Sequence, residues 1–352
     1  MNKKGKIIAH LLGGGGINIG YKVLSKVAML GDGFAEWEFH CADTSRNNYD
    51  NVDGVGDLFE IQRKTNDLKL AVAGSGGDRR TLVNDIALNI PDYLAKHNIK
   101  QKETGVYHLI VCSLSGGTGN NIGILLADAF MARDIPFIFL GVGDSGDDTK
   151  LRNTQSSLAT LSHKAVKANK CLLTYYVNNA EIGDGTLTGA VEKANNHIKN
   201  MAGFLSLFLS GENAEIDHTD MEYFLCPHKL TTVTIPAGVY TITFHGGGEE
   251  IKLPEYAVPA VARTLSIAGK EVEFPIHTRN HKLGYIVNEN AISKFEKHAP
   301  IHIISSNGML KAEVEKLTQA NEAALAIQKS LVNCNLEAPK HAVTDDELDM
   351  MF

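Results

Sequence analysis

No apolar run in the 352-residue sequence is long enough to cross a bilayer, so no membrane partner is expected. The chain also lacks a basic surplus. Its formal net charge of −7 leaves no general electrostatic footprint for nucleic acid or anionic lipid, and any contact with DNA is expected to need an adaptor. A disulfide or zinc framework is missing too. The five cysteines (Cys41, Cys112, Cys171, Cys226, Cys334) are odd in number, far apart and mostly set in apolar runs, as reduced core residues of a cytoplasmic protein are. Met1 to Lys6 is basic like the start of a secretion signal, but the apolar run behind it stops at Gly13. What remains is 43% hydrophobic and 21% charged, the balance of a soluble globular protein with a full core and room for two ordinary domains.

Three glycine-rich stretches punctuate the first half. Cys112-Ser113-Leu114-Ser115-Gly116-Gly117-Thr118-Gly119-Asn120-Asn121 follows the β-branched run Leu109 to Val111 and precedes apolar residues at helical spacing from Ile122 to Arg133, which predicts a strand-to-helix turn. Glycines there let backbone N–H groups approach an anion, and the positive end of the helix points at the same place. The stretch is not the common P-loop, because no Lys follows its last Gly. A second turn, Gly13-Gly14-Gly15-Gly16-Ile17-Asn18-Ile19-Gly20, lies between a strand at Ile7 to Leu12 and a helical pattern from Tyr21 to Leu30. Taken alone it also fits a dinucleotide loop, with Asp43 about 20 residues on as the ribose acid. The third is Gly74-Ser75-Gly76-Gly77-Asp78, ahead of a helix from Arg79 to about Lys96.

Ser115 to Gly119 resembles the signature loop of the tubulin/FtsZ superfamily, [SAG]-G-G-T-G-[SAT]-G, although Asn120 and Asn121 depart from its last two positions. The resemblance extends along the chain. Gly13 to Asn18 is similar to the first FtsZ nucleotide loop, Asp43 to the acid of the second, and Gly74, Ser75, Gly76 and Gly77 to the third. It implies that Gly14, Gly15, Gly16, Asn18, Asp43, Gly74, Ser75, Gly76, Gly77, Ser115, Gly116, Gly117, Thr118, Gly119 and Asn120 bind GTP or GDP with Mg2+. Asp148 and Arg152 then belong on the ribose side, and Asn178 against ribose and base. On the expected central helix, Val191 and Asn195 stand where the family has a stacking Phe and a base-reading amide. Val offers no aromatic ring.

The fold implied is a doubly wound, mostly parallel α/β sheet over residues 1–186, a long central helix at 187–209 and a smaller α+β domain at 210–308. An extended C-terminal helix at 309–334 and an acidic tail at 335–352 complete it. After the central helix, Glu215, Asp217 and Asp220 resemble the FtsZ catalytic loop Asn-x-Asp-x-x-Asp, with Glu215 in place of the Asn. Read from the residues alone, Asp217 or Asp220 equally suits the cap of the helix suggested at Met221. A helix of ~20 residues holds this loop ~30 Å from the nucleotide. In the family such acids act on the next protomer, so a head-to-tail polymer and GTP hydrolysis in trans are implied. In the second domain, strands are expected in Leu230 to Phe244, Gly284 to Val287 and Ile301 to Ser305, and helices near Ala257 to Ile267 and Glu289 to Lys297. His277 and His281 read as surface histidines. The helix from Leu310 to Leu331 resembles that of the plasmid and phage branch, TubZ-like proteins and phage tubulins, whose filaments move or position DNA. Met350, Met351 and Phe352 among acids read as a docking peptide for a neighbouring protomer or a DNA-binding adaptor. Two alternatives stay open: an NAD(P)-dependent oxidoreductase using only the Gly13 to Gly20 turn, and a structural polymer that binds GTP without hydrolysing it.

Overall fold

The computed structural model describes residues 4–52, 55–62, 64, 82–182, 187–247, 250–269, 272, 274, 278 and 280–336. Six strands come first: β1 (Lys6–Leu12), β2 (Glu36–Asp43), β3 (Asp57–Glu60), β4 (Val106–Ser113), β5 (Phe137–Gly143) and β6 (Cys171–Asn178). Then follow β7 (Asn213–Ala214), β8 (Gly238–His245), β9 (Val258–Ile267), β10 (Asn280–Ile286) and β11 (Ile301–Asn307). All join one sheet in the order β3-β2-β1-β4-β5-β6-β8-β11-β9-β10-β7. From β3 to β8 every pairing is parallel, whereas β11 runs antiparallel to both its neighbours. The two expected domains therefore share a continuous sheet through the β6–β8 pair.

The helices of the first half are α1 (Gly13–Ile19), α2 (Ser25–Ala28), α3 (Asn47–Asp50), α4 (Val83–Lys96), α5 (Thr118–Ala132), α6 (Asp148–Lys167) and α7 (Asn179–Ile182). A π turn, Gly20–Leu24, joins α1 to α2. The second half adds α8 (Leu187–Phe208), α9 (His218–Leu225), α10 (Glu289–Phe295) and α11 (Met309–Leu336). Alternation along the parallel strands sends side chains to both faces, and both are buried. Ile7, Ala9, Leu11, Leu109 and Val111 join the core under α1 and α8, while Leu12, Ile110 and Cys112 join that under α4, α5 and α6. The helix α8 has 22 residues, about 33 Å of rise. α11 lies against α6, with Leu310 and Leu317 buried and Gln155 Nε2 donating to Thr318 Oγ1 at 2.9 Å.

Several expectations need correction. The helix expected near Ala257 to Ile267 is instead β9, Val258–Ile267. Val258, Val261 and Leu265 have helical spacing, yet the segment lies between β11 and β10 and is buried on both faces from Ala260 onward, so sheet pairing overrides the pattern. Within the expected strands at 230–244, only Gly238–His245 pairs; the Thr231 to Ile235 run precedes Pro236 and bends without joining the sheet. The glycine run Gly13 to Gly16 is not a turn before a helix but the first turn of α1 itself. His281 is exposed, as expected, although bonded to Thr264 Oγ1 at 2.8 Å and stacked on Phe274, and His277 lies outside the described residues. Four cysteines are buried free thiols, as expected, and burial pushes Cys41, Cys171 and Cys226 up to about 12.

Candidate nucleotide site and acidic loop

At the carboxyl ends of β1 and β4 two glycine-rich segments pack backbone to backbone. Gly13 has φ +65°, and a Cβ there would lie 2.6 Å from Gly119 N; one on Gly119 would lie 2.2 Å from Leu12 O. On Gly16 a Cβ would lie 2.3 Å from Val111 O. These glycines are therefore demanded by the close approach of α1 to α5 and β4. Gly116 differs. Nothing lies within 4 Å of the position its Cβ would take, so its backbone faces open space.

That space is a trench in three connected parts, all bordered by Gly15 and Ser113. The first part, about 380 Å3, is lined by Gly13, Gly14, Asp43, Thr44, Gly116, Gly117, Thr118 and Gly119 among others. Here the N-terminal N–H groups of α1 and α5 converge, as an anion site requires. The Thr44 and Thr118 hydroxyls lie 3.1 Å apart. Asp43 is buried, accepts hydrogen bonds from Thr44 N at 2.7 Å and Asn48 Nδ2 at 3.2 Å, and is pushed above the usual carboxylate range by desolvation. The second part is the open mouth, where Ser115, Asp148, Arg152 and Lys150 gather. Arg152 Nε donates to the Asp148 carbonyl at 3.1 Å, Asp147 rather than Asp148 caps α6, and Lys150 pairs with Asp144 at 3.2 Å. The third part, about 170 Å3, is lined by Asn18, Lys22, Asn179, Val191 and Asn195, with no aromatic ring among the described lining residues.

Most of the expected binding residues thus meet in one trench. Two do not face it. Asn178 is buried, and its amide donates to Glu181 Oε1 at 3.0 Å and Glu313 Oε1 at 3.3 Å, under α7 and α11. Its neighbour Asn179 lines the third part instead, and the Asn179 Oδ1 is buried without a hydrogen-bond partner. One position at a strand end exchanges the two faces, which residue spacing alone does not resolve. Asn120, fully buried, donates to Leu114 O at 3.1 Å and Ser157 Oγ at 2.6 Å, bracing the loop from beneath. Gly74, Ser75, Gly76 and Gly77 lie outside the described residues. Thr44, Asn48, Lys22, Lys150 and Asn179 were missed; only Asn179, in the Asn178-Asn179 pair, carried a readable signal.

Past the far end of α8, Asp217 caps α9. Its Oδ1 accepts from Asp220 N at 2.9 Å, and Asp220 Oδ2 returns a bond from Asp217 N at 3.4 Å, a reciprocal capping box. Asp220 is further held by Lys282 Nζ at 2.7 Å, with its side chain 12% exposed, whereas Asp217 and Glu215 are exposed. Glu215 adopts φ +77°, a left-handed conformation uncommon outside glycine and Asn. Of the two readings of these acids, cap and catalyst, the structure shows the cap at Asp217, whose side chain stays exposed, while Asp220 is mostly buried in the same capping box and against Lys282.

A strand-helix sheet bearing glycine loops at its carboxyl ends, and a long helix leading from that site to an acidic loop, define the tubulin/FtsZ fold. Within that class the similarity is to phage tubulins. Residues of this chain are 24% identical over 177 positions to a phage tubulin-like protein of Pseudomonas phage 201phi2-1, spanning 50% of this chain and 49% of that protein. The match thus spans about half the length of that curated relative. A protofilament of TubZ from bacteriophage PhiKZ superposes with a TM-score of 0.70 at 18% identity, covering 92% of this chain and 93% of that one. The phage tubulin PhuZ bound to GDP gives 0.70 at 20% identity, with 92% of each chain covered. No family model matches the chain. Among the described residues no helix is long and apolar enough to cross a membrane.

Proposed function

We propose that the chain is a GTP-binding, self-assembling GTPase whose active site is completed between subunits, in filaments that position phage or plasmid DNA through an adaptor. The observation that carries this reading is the separation of its two halves by α8, about 33 Å of helix. The trench offers backbone N–H groups and hydroxyls for phosphate, and the exposed acids lie beyond the other end of the same helix. An isologous pair would bury like against like; head-to-tail stacking sets Asp217 and Glu215 of one subunit over the trench of the next. There Asp217 orients or deprotonates the attacking water, and backbone dipoles stabilise the transferred phosphoryl group. The phage TubZ protofilament and the GDP complex of the phage tubulin PhuZ, which share this fold, support both assembly and nucleotide.

A magnesium ion fits as the nucleotide's companion rather than a resident of the protein. Among the described residues no group of three or more His, Cys, Asp or Glu is arranged for a metal, and Thr44 and Thr118 supply hydroxyls that suit a largely hydrated, phosphate-bound ion. The oxidoreductase reading needs only the Gly13 to Gly20 segment and Asp43, and leaves unused the Gly116, Gly117, Thr118 and Gly119 that line the same part of the trench. A polymer that does not hydrolyse GTP is favoured by one observation, the commitment of Asp217 and Asp220 to the α9 capping box.

Mixing two inactive variants tests the proposal. Asp217→Ala retains the trench and loses the acid; Gly116→Asp places a carboxylate in open space at the phosphate position and keeps the acidic loop. Each alone is expected to be inactive, and their mixture to recover GTP hydrolysis at the junctions that pair an intact trench with an intact loop. A mixture as silent as its components overturns hydrolysis in trans.

A further inference from the structure

The third part of the trench holds three amides (Asn18, Asn179, Asn195) and one ammonium (Lys22), with no carboxylate and no aromatic ring among the described lining residues. Val191 gives the base an apolar contact but no stacking partner, so hydrogen bonds have to carry the choice between purines. Amides cannot make that choice alone. Asn18 is committed, its Nδ2 donating to Gly14 O at 2.8 Å, and Asn179 and Asn195 each carry a donor and an acceptor on one plane and can turn over to match either guanine or adenine. An ammonium cannot turn over: it has three donors and no acceptor. Guanine presents two adjacent acceptors, O6 and N7, where adenine presents N7 beside the N6 amino donor.

Lys22 is free to serve in this way. Among the described residues it has no carboxylate within ion-pair distance, and it lies on the rim of the cavity with its side chain exposed. The turn that carries it, Gly20–Leu24, is a π turn, a geometry frequent at functional sites. That turn is held firmly. A Cβ on Gly20 would lie 2.1 Å from Leu11 Cδ1, so the turn packs closely on the Leu11 side chain of β1. Across the cavity, the buried and unpartnered Oδ1 of Asn179 offers the acceptor that guanine N1–H or its N2 amino group needs.

Resting on the nucleotide-binding reading above, we infer that Lys22 is the residue that selects guanine, donating to its O6/N7 edge and thereby setting which way the neighbouring amides turn. Calorimetric titration of the full chain with GTP, ITP and ATP tests it, using wild type, Lys22→Met and Lys22→Arg. ITP keeps O6 and N7 but lacks the N2 amino group. Lys22→Met is expected to weaken GTP and ITP alike, each by about tenfold or more, and to leave ATP unchanged; Lys22→Arg, still a pure donor, is expected to keep the preference. Equal weakening of all three nucleotides, or of none, would overturn the inference, since Lys22 would then be a general charge or a bystander. A wild type that binds none of the three would overturn the nucleotide reading itself, and this inference with it.

Discussion

At the end where α8 begins, the polar groups that face solvent belong mainly to the backbone, and the sequence there is glycine, serine, threonine and asparagine. At the end where α8 finishes, they belong to carboxylates, one of them on a residue in the left-handed region. On the function proposed above, the first end would hold phosphate without a group to activate water, and the second would activate water without a cradle for phosphate, so each would be incomplete in one chain. The difference also teaches what evolution can alter. A backbone cradle tolerates few substitutions because its glycines touch other backbone, whereas the acidic loop serves both as helix cap and as surface, so stability and chemistry there are separable.

Acid is expected to have the largest effect, and it strikes the strands that feed the glycine end. His10, buried in β1, bonds to Tyr93 Oη at 2.7 Å and to His108 Nδ1 at 2.9 Å, and the rings of His40 and His97 stack at 3.8 Å beside them. Burial holds His10 well below the ordinary 6.5 and His108 down to about 3. The unfolded chain therefore binds more protons below pH 6.5. Stability should be complete above that value and fall as the pH drops from 6.5 towards about 3, by about 1.4 kcal/mol per pH unit for each of the two. Chemical denaturation at a series of pH values measures the slope; a flat profile between pH 6 and 4 contradicts the neutral cluster.

The glycines come next. Gly119→Ala forces a Cβ to 2.2 Å from Leu12 O and should cost about 3 kcal/mol or more in a thermal melt, whereas Gly116→Ala should stay within about 0.5 kcal/mol of wild type. Comparable losses at both would erase the distinction between packed and open glycines. At the other end, Asp217→Ala should lower GTP turnover about 100-fold while losing about 1 kcal/mol as a cap. Asp220→Ala strips Lys282 of its partner and should show mainly in stability. If turnover falls equally in both when each remains folded, the assignment of surface acid and structural acid is wrong. The smallest effect is expected at the base: Asn179→Ala should weaken GTP binding about five- to tenfold, and Asn178→Ala should leave it alone while loosening α11.

Much of the nucleotide half was legible because a glycine run between a β-branched strand and an amphipathic helix leaves few alternatives. Ser115 to Gly119 and Gly13 to Gly16 could be placed from local pattern alone, even though α1 starts within its glycines. Where side-chain direction decides, local pattern failed. The pair Asn178-Asn179 sits at a strand end, and only the packing of Glu181 and Glu313 shows which amide turns away. Likewise β9 carries a helical spacing that its two sheet partners override, and Lys150 and Lys22 had no motif to announce them. Asp217 was read both as cap and as catalyst; the fold shows the cap and an exposed side chain, and the catalytic role belongs to the proposal.

The central claim is that neither end of α8 works without its counterpart on another subunit. Phosphate release from GTP, expressed per subunit and followed across a series of protein concentrations, tests it most directly. The account predicts negligible turnover below a threshold and a steep rise above it, as junctions form. A rate per subunit that stays constant down to the lowest concentration would mean a site complete within one chain, and the assignment of Asp217 to the neighbour's nucleotide would be contradicted.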